Sequence, residues 1–155
     1  MSEEELSLGY ISVKVIPTQE GILKDKVLDA GCLPLDEGSY HATLIFDIHQ
    51  DGVIPNVPMI PEKIFEGKVI GIKELGERKG DIISAVVLEL DSPELTEEHD
   101  RLIQCGYGHS YPDYIPHISL AYKVTEEQME DLKRQCESLI GKTFYLSGES
   151  IDWID

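Results

Sequence analysis

Between positions 10 and 16 apolar and polar residues alternate with the period of two expected of a half-buried strand, and Pro17 closes the run. The period then lengthens. From Thr18-Gln19-Glu20 onward, Ile22, Leu23, Val27 and Leu28 recur at helical spacing until Gly31. Positions 40–47 predict a second strand, whereas 49–61 hold three prolines, Asp51-Gly52 and no period, which predicts a loop. Positions 65–75 and 82–90 predict strands joined by the polar turn Gly76-Glu77-Arg78-Lys79-Gly80 as a hairpin. Ser92-Pro93-Glu94 opens a second helix with proline in its first turn, carrying Leu95, His99, Leu102 and Ile103 as far as Gly106. A loop at 106–112 and a strand at 114–124 follow. Thr125-Glu126-Glu127-Gln128 fits a capping box and starts a third helix through Met129, Leu132, Cys136, Leu139 and Ile140, which Gly141 ends. Positions 143–153 predict the last strand. The order of these elements predicts two related lobes facing each other.

Inside two of the predicted strands the same four-residue pattern occurs, His41-Ala42-Thr43-Leu44 and His117-Ile118-Ser119-Leu120. Side chains at i and i+2 of a strand share a face, so each imidazole stands beside its own hydroxyl while Ala42 and Ile118 point the other way. Two such half-sites carry the parts needed for acid–base chemistry on a phosphate. One histidine alone in a strand is usually a satisfied core or surface residue. The shared surroundings argue otherwise here: Tyr40 and Tyr114 lie upstream, Phe46 and Tyr122 downstream. His49, His99 and His109 do not fit the pattern.

Charge narrows the range of ligands. Thirty acidic residues against thirteen basic ones give a formal charge of −17, a poor surface for long nucleic acids, which are held through many Lys/Arg–phosphate contacts. A short phosphodiester enclosed in one pocket remains compatible, since local donors then decide binding. The length of 155 residues suits one domain over 1–155. No uncharged stretch is long enough to span a bilayer, and Met1-Ser2-Glu3-Glu4-Glu5 is acidic where a secretory leader is basic, so a cytoplasmic protein without a membrane partner is expected. Cys32, Cys105 and Cys136 are odd in number and far apart, against both a disulfide framework and a structural zinc site.

Two His-x-Thr/Ser-hydrophobic strands in a chain of this size and element order resemble the 2H phosphoesterase superfamily. The segments Tyr10-Ile11-Ser12-Val13 and Tyr114-Ile115-Pro116-His117-Ile118-Ser119-Leu120-Ala121-Tyr122, with the late Glu149 and Trp153, make the chain most similar to the phage anti-CBASS hydrolases of cyclic oligonucleotide signals. Ser119 stands where threonine is commoner, and both hydroxyls can donate to phosphate. The resemblance implies an α+β, two-lobed 2H phosphoesterase-like fold, with antiparallel sheets lining a central cleft and helices outside. It implies His41, Thr43, His117 and Ser119 as the catalytic set, without a metal ion or cofactor.

One neutral histidine would take the proton of a ribose 2′-hydroxyl or water while the other, protonated, donates to the departing oxygen. The hydroxyls would steady the non-bridging oxygens. Which histidine is base and which is acid stays open. Tyr10 and Trp153 are candidates to stack on bases, and Glu149 to accept from a base edge; core packing is the competing reading for Tyr10. The expected partner is a small cyclic oligonucleotide. Two alternatives are an enzyme acting on 2′,3′-cyclic or 2′–5′ phosphodiesters of RNA ends, and a protein that sequesters a cyclic nucleotide without cleaving it.

Overall fold

Pro17, which closes the first strand in the sequence pattern, opens the first helix in the folded chain. The computed structural model describes residues 7–36, 38–47, 57–108 and 114–154, with backbone alone at 7, 8, 153 and 154. Strand β1 (Ser7–Val15) leads into helix α1 (Pro17–Asp29). A proline at the first helical position has its φ preset and lacks an N–H that would go unpaired there anyway. Only Leu23 and Val27 of the expected apolar positions are buried, with Glu20 beside them; Ile22 and Leu28 are 44% and 56% exposed. The i, i+4 pair carries the packing, and Ile22 and Leu28 fall outside that stripe. Glu20 has a separate task. Its carboxylate accepts the Gly38 N–H at 2.9 and 3.1 Å, tying down the loop that leads into β2 (His41–Phe46).

The hairpin forms as expected from β3 (Phe65–Leu75) and β4 (Ile82–Asp91). Helix α2 (Pro93–Gln104) starts at Ser92, whose hydroxyl accepts the Leu95 N–H at 3.2 Å and donates to the Glu66 carbonyl at 2.6 Å. After β5 (His117–Thr125), α3 (Glu126–Cys136) begins with the capping box of Thr125 and Gln128, and β6 (Thr143–Ile154) follows. Among the described residues no helix is long and apolar enough to cross a membrane. The three cysteines are free thiols, Cys32 and Cys136 buried and Cys105 exposed. Most of the expected loop at 49–61, with His49, and the part of the 106–112 loop that holds His109 lie outside the described residues.

All six strands join one antiparallel sheet in the order β2-β1-β6-β3-β4-β5, where separate sheets were expected. The difference comes from two long strands that change partner midway. β6 pairs with β3 from Thr143 to Leu146 and with β1 from Leu146 to Ile154, while β3 leaves β6 for β4 at Lys68. Two three-stranded ends, each built on a strand–helix–strand unit (β1-α1-β2 and β4-α2-β5), are thereby fused through one short ladder. In a flat sheet the end strands would lie about 24 Å apart. Here the Tyr114 hydroxyl donates to the Thr43 carbonyl at 2.8 Å, so the sheet curls until β2 and the entry to β5 meet.

Ala42, Leu44, Ile118 and Leu120 are fully buried, as period-two geometry requires of the residues between the motif side chains. They join a core with Ile11, Phe65, Leu102 and Leu132. Burying one such leucine fully contributes about 1.5–3 kcal/mol. The opposite faces of the motif strands carry His41, Thr43, His117 and Ser119, all half-buried.

Candidate active site

Each motif histidine is the first residue of its strand and turns back on the chain that precedes it. His41 Nδ1 lies 2.7 Å from the Ser39 carbonyl, and His117 Nδ1 lies 2.8 Å from the Ile115 carbonyl. A carbonyl only accepts, so both Nδ1 atoms carry hydrogen and, in the neutral ring, each Nε2 carries the lone pair. The anchoring group is in each case the carbonyl two residues back. Its role could not be seen in the residue types, because every residue at that position has a carbonyl.

His41 Nε2 accepts from the Tyr10 hydroxyl at 2.6 Å, and Tyr10 in turn accepts from Thr43 Oγ1 at 3.3 Å. β1 and β2 pair in a register that sets Tyr10 opposite Phe46, and the two rings meet edge-on at 5.9 Å. Burial raises the Tyr10 hydroxyl above its usual range, outweighing the Thr43 contact that opposes it, so the phenol keeps its proton and acts as donor to the imidazole. Across the sheet His117 stands opposite Glu89, and Ser119 opposite Val87. Among the described residues His117 Nε2 has no hydrogen-bond partner.

A cavity of about 540 Å³ is lined by Tyr10, Thr43, Phe46, Tyr114 and His117, together with Lys73, Glu89 and the apolar Leu75, Val87 and Ile115. Of the expected catalytic residues, Thr43 and His117 line it, and His41 reaches it through Tyr10. Ser119 lies outside this lining, half-buried on β5. Tyr10 borders the cavity.

Glu149 does not border it. Its side chain is fully buried, and the carboxyl accepts the Ile60 N–H at 3.0 Å and faces Glu98 and Arg101 of α2. Gly148 explains the direction: its φ of +71° lies where β6 shifts register against β1, and the extra residue sends Glu149 to the helix side. Burial and the neighbouring Glu98 push the Glu149 carboxyl up to about 8. Trp153 sits on β6 opposite Leu8, and its side chain lies outside the described residues.

Several cavity residues had no signal as site residues in the sequence. Lys73 and Glu89 belong to strands read only as a hairpin, and their ion pair at 2.6 Å depends on the pairing of β3 with β4. Tyr114 was visible as a neighbour of the motif, but its bond to Thr43 arises from the curl of the sheet. Its ring also stacks on His99 at 4.1 Å, and His99 Nδ1 meets the Leu44 carbonyl at 2.7 Å, which makes His99 part of the scaffold beneath β2. Among the described residues no group of three or more His, Cys, Asp or Glu side chains is placed to hold a metal ion.

Comparison with known proteins adds independent information. The family model of "Anti-CBASS protein Acb1" matches residues 9–151, which include every expected site residue except Trp153. The chain is also 34% identical over 89 residues to the anti-CBASS protein Acb1 of Vibrio phage KVP40, an alignment covering 57% of this chain and 54% of the phage protein. The match thus spans about half the length of that curated relative. With the family model covering nearly all of both motif strands and the sheet that joins them, the chain belongs to the anti-CBASS protein Acb1 family.

Proposed function

We propose that this protein cleaves 3′–5′ phosphodiester bonds of a small cyclic oligonucleotide signal by two-histidine acid–base catalysis, and so counters CBASS signalling in the cytoplasm of the host cell. One observation carries the reading: two histidines in matched strand motifs each commit Nδ1–H to a backbone carbonyl, with His117 lining the cavity and His41 joined by Nε2 to Tyr10, which lines it too. Membership of the anti-CBASS family and a formal charge of −17, unsuited to long polyanions, support the choice of a compact ligand. The largely apolar lining with Tyr10, Phe46 and Tyr114 suits the faces of bases.

In the proposed step the ribose 2′-oxygen attacks phosphorus as its proton passes to Nε2 of the neutral histidine. The phosphorus–O5′ bond breaks, and the departing oxygen takes the Nε2 proton of the other, protonated histidine. The products are a 2′,3′-cyclic phosphate and a 5′-hydroxyl. Water then opens the cyclic phosphate with the two roles exchanged, which restores both protonation states. Thr43 and Ser119 donate to the non-bridging oxygens. The neighbouring 2′-hydroxyl supplies the nucleophile within the substrate, so the step needs no metal-made hydroxide.

The test compares a cyclic dinucleotide with its 2′-deoxy analogue and with linear RNA, in the presence of a chelator. Cleavage of the cyclic ribodinucleotide alone is the expected result. Equal cleavage of the deoxy analogue would exclude internal attack, loss of activity on chelation would point to a metal-dependent hydrolase, and preference for long RNA would transfer the protein to the RNA-end class. Tight binding without turnover would make it a sequestering protein.

A further inference from the structure

We propose that Lys73 binds a second, non-scissile phosphate of the ligand and thereby makes the site selective for a ring over a single phosphodiester. This rests on the functional reading above. Lys73 is the one Lys or Arg among the described residues lining the cavity, in a chain where acidic residues outnumber basic ones thirty to thirteen. β3 turns Lys73 and Leu75 onto the cavity by period two. Lys73 faces Val87 across the β3–β4 ladder, and Val87 faces Ser119 across the β4–β5 ladder. Lys73 is therefore two strand spacings, about 10 Å, from Ser119 in the same row.

Between that lysine and the motif histidine stands Glu89, directly opposite His117 and 2.6 Å from the Lys73 ammonium. A phosphate entering on this side would meet an uncompensated carboxylate if Lys73 were absent. With the lysine present, Glu89 fixes the ammonium in place and takes one of its three N–H donors, leaving two for an anion. Lys73 lies on β3, two strands from the β5 motif with β4 between them, so the phosphate it reaches is a neighbour of the one being cut. A single phosphodiester has no such neighbour. A ring of two or more nucleotides always does.

The test is calorimetric titration of the wild type, Lys73→Met and Lys73→Arg with a 2′-deoxy cyclic dinucleotide, which lacks the internal nucleophile, and with a 2′-deoxy dinucleoside monophosphate, at several salt concentrations. The Lys73 side chain is 56% exposed, so methionine retains its stem without disturbing the core, and melting curves check this. Lys73→Met should weaken ring binding about 10- to 100-fold and lower the slope of log affinity against log salt by about 1, with arginine retaining both. The monophosphate should lose far less. Unchanged ring binding in Lys73→Met, or equal losses for both ligands, would overturn the assignment. Failure of the wild type to bind the ring would overturn the functional reading itself and is seen before any variant is made.

Discussion

His41 and His117 hold the same position in two strands, and the company of their Nε2 atoms is different. His41 accepts from Tyr10, which is itself a hydrogen-bond acceptor for Thr43, while His117 Nε2 has no partner among the described residues. Their cross-strand neighbours differ in sign as well: Lys14 lies opposite His41, and Glu89 opposite His117. The central strands diverge in the same way, since β3 directs Lys73 into the cavity while β6, bulged at Gly148, directs Glu149 towards α2. What the two halves share is local: a strand start, a tethered Nδ1 and a hydroxyl two residues on. What separates them comes from the strand alongside.

Removing each imidazole in turn has the largest expected effect. His41→Ala and His117→Ala should each lower turnover of a cyclic dinucleotide by about 10²–10⁴-fold with unchanged circular dichroism. A variant that retains near wild-type turnover would show that the halves do not act as a pair. A contact that joins β2 to the entry of β5 comes next. Tyr114→Phe removes the donor to the Thr43 carbonyl and should cost about 1–3 kcal/mol in urea unfolding, the upper end applying if that carbonyl finds no other donor. No measurable cost would mean that the curl of the sheet is held without it.

The divergence of the central strands can be read from pH. Glu149 titrates near 8 when folded, above the ordinary carboxylate value of 4.5, because burial and Glu98 disfavour its charge. The folded chain therefore holds a proton that the unfolded chain has released. That contribution is complete below about pH 4.5 and is lost as pH rises towards about 8, at a slope of at most about 1.4 kcal/mol per pH unit. Glu149→Gln should flatten this part of the stability profile, whereas an unchanged slope would place the titration elsewhere. The smallest effect is expected from Tyr10→Phe, which removes the O–H from His41 Nε2 and makes that half resemble the other. The ring contact with Phe46 remains, and turnover should change by less than about tenfold. A loss as large as that of His41→Ala would assign the phenol a share in proton transfer.

Much of the local structure was legible because its causes are local. The Thr125–Gln128 capping box, Ser92-Pro93 at the start of α2 and the hairpin turn around Gly76–Gly80 depend on neighbours within four or five residues. Pro17 follows the end of β1 and also takes the first helical position, one residue ahead of the Thr18 entry that the pattern predicts, because the same fixed φ suits both places. Ile22 and Leu28 were misread because helical spacing does not tell which part of a broad apolar face will find a partner. Glu149 was one of thirty acidic residues, and only the bulge at Gly148 decided that it faces α2.

The sequence by itself determined the strand and helix order, the two-residue step that sets each motif histidine beside its hydroxyl, and the burial of Ala42, Leu44, Ile118 and Leu120 behind them, since all of these follow from the period of the backbone. Tertiary structure alone decided that β3 and β6 join two three-stranded ends into one sheet, that Tyr114 reaches Thr43, and that Lys73 and Glu89 meet beside His117. Those contacts depend on register and curl, which are set by the packing of the whole sheet against its helices and leave no local periodicity to read.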